Sequence, residues 1–440
     1  MIDSHARWTH FGPVVSETGQ VPVMAARWGG FEAGRLTESS LALPFSRTFE
    51  EMRSALELWS FPATHFVWAG RDGTIGIQQA GQFPFRAPGH SGLFPNGAIG
   101  DSDDWRGTIP YADMPYGSDP ASGFIVTSNN PIRSSAYFAD LGAANMADAN
   151  YLKDAARGYR AARLEDMITD HADHDVASAK RMQTDVKVQG LHQSLKRHDW
   201  SKFTPESGGC LSILSAWDGQ FDKDSAGALI FSALWSALLE KVYRPHLPDA
   251  ISLNVGMTQL LSLETILDDP ESGWWDDPQT PLRESRDIRL SQIGPDVCRK
   301  LEGQFGGDPD NWRWGDVHQG NFISPILGQS GIGLLEKAAN RQNVALAGGA
   351  ATVSVARWKH GTGYAPIHIA GYRMIFDWSD PDRIHMINSM GQSSHVGSPH
   401  YSDQLEQWAA NQYRVVDMSE QSIRERAKHR QTLRAENPEK

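Results

Sequence analysis

The sequence predicts an α+β protein, from three observations. Strand-like segments fill the first third of the chain, helical periodicity fills the middle, and strands return in the last third. That order points to a sheet completed by distant parts of the chain rather than to alternating strand-helix units. The divisions fall as a sheet-rich part over 1–150, a mainly helical region over 151–290, and a return to the sheet with a C-terminal helix over 291–440. The chain has 440 residues, 40% of them hydrophobic and 21% charged, which is an ordinary globular composition and ample for a large core.

The elements follow in order. "VPVMAARW" (21–28) reads as a strand, and "TFEEMRSALELW" (48–59) has helical spacing with acidic residues near its start. "HFVWAG" and "TIGIQQAG" flank Arg71-Asp72-Gly73, a hairpin signature because Asp-Gly tolerates the positive φ such turns need. From Ala87 to Pro120 the chain is rich in Gly, Pro and Asp and reads as a long ordered loop with short strands. Phe124-Ile125-Val126 reads as a buried strand that runs into Asn129-Asn130, two good turn residues. Apolar periodicity marks helices through "LKDAARGYRAARLEDMI" and "ALIFSALWSALLEKVY" (228–243). Strands follow at "ATVSVARW" (351–358), "GYRMIFDWS" (371–379) and "RIHMINSM" (383–390), then a charged helical tail over 419–434.

The totals exclude several classes. A formal charge of −12 without a basic stripe argues against nucleic-acid binding. Two cysteines, Cys210 and Cys298, are too few for a disulfide framework. No apolar run approaches the ~18 residues of a membrane helix. The N-terminal "MIDSHARWTHFGPVV" lacks a charged-then-apolar export pattern. No Gly-rich phosphate loop, dinucleotide fingerprint or G-x-S-x-G elbow is present.

Three clusters invite chemistry. "DHADHD" (170–175) places His171 and His174 among aspartates, as metal ligands or as a solvated junction. Cys210 in "SGGCLS" is either a nucleophile at a cleavage site or a small buried thiol. Trp274-Trp275 beside Asp276-Asp277 fits a sugar site or simple core packing. Asn129 has two readings as well: a turn residue, or a neutral amide donor aimed at a reaction centre.

An ordered set of segments then resembles the penicillin acylase (penicillin amidase) family, over most of its large subunit. It runs from "THFGPVV" (9–15) through "FVWAGRDGTIGIQQAGQFPFR" (66–86), "WRGTIPYADMP" (105–115) and "DPASGFIVTSNNP" (119–131). It continues with "GYRAARLEDMI" (158–168), "AWDGQFDKDSAGALIF" (216–231) and "WRWGDVHQGNF" (312–322). "GYRMIFDWSDPDR" (371–383) and "GQSSHVGSPHYSDQLEQW" (391–408) close it. The resemblance implies part of a four-layer αββα N-terminal nucleophile (Ntn) hydrolase fold with a helical insertion, and hydrolysis of linear amide bonds through an acyl-enzyme. Asn129 matches the asparagine whose side-chain N–H contributes to the oxyanion hole. Arg160 matches the arginine near the nucleophile's amine, with Arg163 the alternative. Thr64 matches an acyl-pocket position, and Asp140 a calcium ligand of some members.

No cofactor is implied for the chemistry beyond a structural calcium, and one carboxylate alone does not make such a site. No serine here matches the family's nucleophile. The expectation is that the small subunit, the nucleophilic serine and the opening of the large subunit belong to a preceding or complementary segment, with a small acylated amine or amide as substrate. The alternative is a non-catalytic remnant or structural subunit that needs a complementary chain. Family resemblance implies a periplasmic or secreted location.

Overall fold

The computed structural model describes residues 7–16, 23–31, 34–87, 90, 95–97, 100, 103–130, 132, 158–188, 197–203, 210–248, 253 and 257–432. The chain divides into two units, Met1–Ala161 and Ala162–Lys440. Among the described residues, the named strands form two three-stranded and three two-stranded antiparallel sheets.

In the first unit, β1 (Trp8–Thr9) and β2 (Gly12–Pro13) make a minimal ladder. Helices α1 (Leu36–Ala42) and α2 (Phe49–Leu56) precede β3 (Thr64–Ala69), β4 (Ile75–Ala80) and β5 (Tyr116–Ser118), which pair in the order β3-β4-β5. Helix α2 starts where Thr48 accepts a hydrogen bond from the Glu51 amide at 3.2 Å, and Glu50 and Glu51 complement the positive end of its dipole. Its buried face, Phe49, Met52 and Leu56, packs with Ala80 of β4, and each large side chain contributes roughly 2 kcal/mol by leaving water. Gly76 permits this approach, since a Cβ there would lie 2.5 Å from the Phe49 ring. The β3–β4 hairpin turns at Arg71-Asp72-Gly73 as the sequence predicts, with Gly73 at φ +89° and Asp72 accepting from the Thr74 amide.

Two strand expectations in this unit need correction. Residues 23–28 contribute only an isolated bridge between Ala25 and Val14. Phe124–Val126 is a half-buried loop, not a buried strand. β-propensity makes a strand only where a neighbour completes the ladder, and among the described residues no strand pairs with this segment.

Helix α3 (Tyr159–Thr169) carries the boundary between the units. The second unit continues with α4 (Val176–Gln183), α5 (Ala226–Leu238) and α6 (Arg286–Phe305). Helix α5 starts at Ser225, which accepts from the Ala228 amide, and is buried almost all round. A π-helical turn over Leu239–Tyr243 prolongs it. By length and composition Ala226–His246 is apolar enough to cross a membrane, contrary to the expectation of no such run. Its window is 67% buried, however, as suits a core helix. Leu290, Ile293, Val297 and Leu301 line the buried face of α6 at helical spacing.

The remaining strands are β6 (Gln319–Phe322), β7 (Arg341–Ala345), β8 (Ala356–Trp358), β9 (Pro366–Ile369), β10 (Tyr372–Ile375), β11 (Arg383–Asn388) and β12 (Arg414–Asp417). They pair as β6-β7, β8-β9 and β10-β11-β12. Helix α7 (Leu405–Ala409) sets Leu405 and Trp408 against Ile387 of β11 and Leu346.

Candidate active site

Asn129 takes φ +66°, the left-handed conformation that asparagine tolerates better than most residues. Local hydrogen bonds hold its turn, since the Ser128 amide donates to Asn130 Oδ1 at 2.8 Å. From the start of α3, Arg160 Nη2 donates to Asn129 Oδ1 at 2.6 Å and to the Ser128 carbonyl at 2.8 Å. Guanidinium nitrogens only donate, so this contact fixes which end of the Asn129 amide is oxygen. Its Nδ2 then points both N–H groups elsewhere, and they meet no acceptor among the described residues. A cation on the oxygen polarises the amide and strengthens those donors.

Arg160 is half-buried, and burial lowers its pKa from the usual value without making the guanidinium neutral near pH 7. Arg163 forms a two-pronged ion pair with Asp185, at 3.1 and 2.7 Å, so its charge is already compensated. Of the two arginines, Arg160 is the one joined to Asn129.

Thr64 is exposed at the start of β3, opposite Ala80, and no hydrogen bond among the described residues joins it to Asn129 or Arg160. Its neighbour His65 points to the other face of the strand. His65 Nδ1 lies 2.8 Å from Thr127 Oγ1, which ties β3 to the Asn129 segment, and burial lowers the His65 pKa. Sequence reading passed over His65, because the tie joins residues 62 positions apart. Asp140 lies outside the described residues. Among the described residues, no group of three or more His, Cys, Asp or Glu side chains could hold a metal.

The other motifs have structural roles. Asp175 caps α4 in a reciprocal box with Ser178, and His174 Nε2 contacts the Ile168 carbonyl at 2.8 Å. Cys210 is buried, and its hydrogen bond with Cys298 together with burial drives its pKa up, the reverse of nucleophile activation. Trp275 is buried, while Asp276 accepts from the Glu284 amide and Asp277 from that of Gln279, which suits a folded loop.

The fold is that of the Ntn hydrolases. The structure superposes on a thermostable penicillin G acylase from Alcaligenes faecalis with a TM-score of 0.66 and 16% identity, covering 98% of this chain and 78% of that one. The penicillin amidase family model matches residues 2–425, and the chain belongs to that family. An acyl-homoserine lactone acylase QuiP from Pseudomonas syringae pv. syringae is 25% identical over 364 residues, 79% of this chain and 43% of its own. A penicillin acylase 2 proenzyme from Pseudomonas sp. strain SE83 is 25% identical over 392 residues, 83% of this chain and 46% of its own. The chain thus spans less than half the length of these curated relatives.

Proposed function

We propose that this chain supplies the oxyanion-stabilising part of an amidohydrolase that cleaves linear N-acyl bonds. The observation that carries this reading is the Arg160–Asn129 contact, which holds the amide oxygen while Nδ2 meets no acceptor among the described residues. The attacking hydroxyl belongs to an N-terminal serine on a segment outside this sequence. Its own α-amine, with a pKa near ~8, accepts the hydroxyl proton. The oxygen adds to the amide carbon, and the negative charge that develops on the carbonyl oxygen meets Asn129 Nδ2. The carbon–nitrogen bond then breaks, the proton leaves with the amine, and water hydrolyses the acyl ester. Arg160 steadies Asn129 and disfavours protonation of a nearby α-amine, keeping it basic.

The similarity to proteins named acyl-homoserine lactone acylases supports an N-acylated substrate, and the family resemblance of Thr64 assigns it to the acyl side. A structural calcium at Asp140 and an exported location belong to the same family-based proposal.

Co-expression with a complementary upstream segment tests the reading. The chain alone should show no turnover of fatty-acyl or phenylacetyl anilides, and the complemented enzyme should hydrolyse them. Asn129→Gly tolerates the positive φ but removes the donor, and should lower kcat by about 10²–10³. Robust turnover by the chain alone would overturn the mechanism. Complemented turnover that survives Asn129→Gly would overturn the oxyanion assignment.

A further inference from the structure

Arg373 occupies an inward position of β10, on the same buried face as Ile375, while Tyr372 and Met374 face outward. Only 6% of its surface remains accessible. Nη1 donates to the Trp408 carbonyl at 3.2 Å, and the guanidinium carbon lies 5.4 Å from the centroid of the Trp408 ring. Nε is buried without a hydrogen-bond partner, and Nη2 has none among the described residues. No carboxylate among the described residues pairs with this cation, and burial lowers its pKa. A buried charge of this kind is costly unless an anion meets it, and one carbonyl and one aromatic face compensate it only in part.

Arg373 lines a cavity of about 400 Å³ that lies wholly within the second unit. Leu346, Ile369 and Trp408 supply apolar wall, while Asp222, Lys223 and Asp224 add charge. Burial and neighbouring aspartates raise the Asp222 pKa. Those acids disfavour a ligand with a second negative charge.

We propose that this cavity binds a small organic monocarboxylate, with its carboxylate on Arg373 and a compact apolar body against Leu346, Ile369 and Trp408. Nε is covered by protein, so the carboxylate meets the guanidinium through Nη2, a charge-assisted donation stronger than a neutral one. Apolar walls with a few placed polar groups are the usual make-up of a small-molecule pocket. Binding here needs no nucleophile and is independent of amide hydrolysis.

Isothermal titration of the full chain with phenylacetate, hexanoate and neutral phenylacetamide tests this. Both acids should bind, and phenylacetamide, which keeps the shape but not the charge, should bind at least about tenfold more weakly. Arg373→Gln, checked for native far-UV circular dichroism, should weaken phenylacetate at least about tenfold. Equal binding of acid and amide by the unaltered chain would overturn the proposal, whether or not the variant folds. So would unchanged affinity in folded Arg373→Gln, or no acid binding tighter than about 10 mM.

Discussion

The Asn129 turn and the His318 pocket each hold one end of a polar side chain by a hydrogen bond, Asn129 through the Arg160 guanidinium and His318 through a backbone carbonyl, yet only one of them offers chemistry. His318 Nδ1 donates to the Tyr364 carbonyl at 2.7 Å, and its ring stacks on Trp314 with centroids 4.3 Å apart. The side chain is fully buried, Nε2 meets no partner, and burial pushes the pKa down to about 4. This imidazole is neutral at pH 7 and sealed from any substrate. Asn129 is exposed and gripped through its oxygen, and its Nδ2 meets no acceptor among the described residues. What separates a site from a core group here is access, since each side chain is held at one end by a single short hydrogen bond.

Breaking each side of the comparison gives effects of different kinds. Trp314→Ala removes a fully buried ring beside His318 and should cost about 3–5 kcal/mol in urea unfolding, with no dependence on substrate.

The pH dependence comes next. Between pH 6.5 and about 4 the unfolded state carries the His318 proton and the folded state does not. Stability should therefore fall as pH drops through that window, by about 3 kcal/mol in all, and His318→Gln should flatten this component in denaturation curves.

On the other side, Arg160→Lys keeps the charge but loses the shared donation to Asn129 and Ser128. In the complemented enzyme it should lower kcat about tenfold to a hundredfold with little change in KM or melting temperature. A fall in stability matching the fall in kcat would place Arg160 with His318 as a structural group. Thr48→Ala, which uncaps α2, should cost about 1 kcal/mol by thermal or chemical melting and leave kcat unchanged.

Local signals were legible in the sequence. The Arg71-Asp72-Gly73 hairpin and the core helix beginning near Ala228 stand as read, because turn chemistry and helical periodicity act between near neighbours. Phe124–Val126 misled because a ladder partner cannot be seen in a run of three apolar residues. Asn129 stood out in the sequence as a turn residue or an amide donor, but Arg160 entered only through family resemblance, and their contact spans 31 residues. The His65–Thr127 tie left no local trace. Nor does the strand "GYRMIFDWS" show which of its faces is inward, which tertiary packing decides by burying Arg373 with Ile375.

The π-helical turn at Leu239–Tyr243 bears on how this chain tolerates insertions and deletions. A π turn widens the helix by one residue and leaves a carbonyl without its usual intrahelical donor. Here Arg289 Nη2 donates to the Lys241 carbonyl, and the Tyr243 hydroxyl reaches Ser262 Oγ at 2.5 Å. Removing one residue from this turn would let the helix close with ordinary spacing and would rotate everything beyond it by about 100°. Tyr243 would then leave Ser262, and Arg289 would lose its acceptor. The two contacts that depend on this turn thus set the length of the helix as well as its packing.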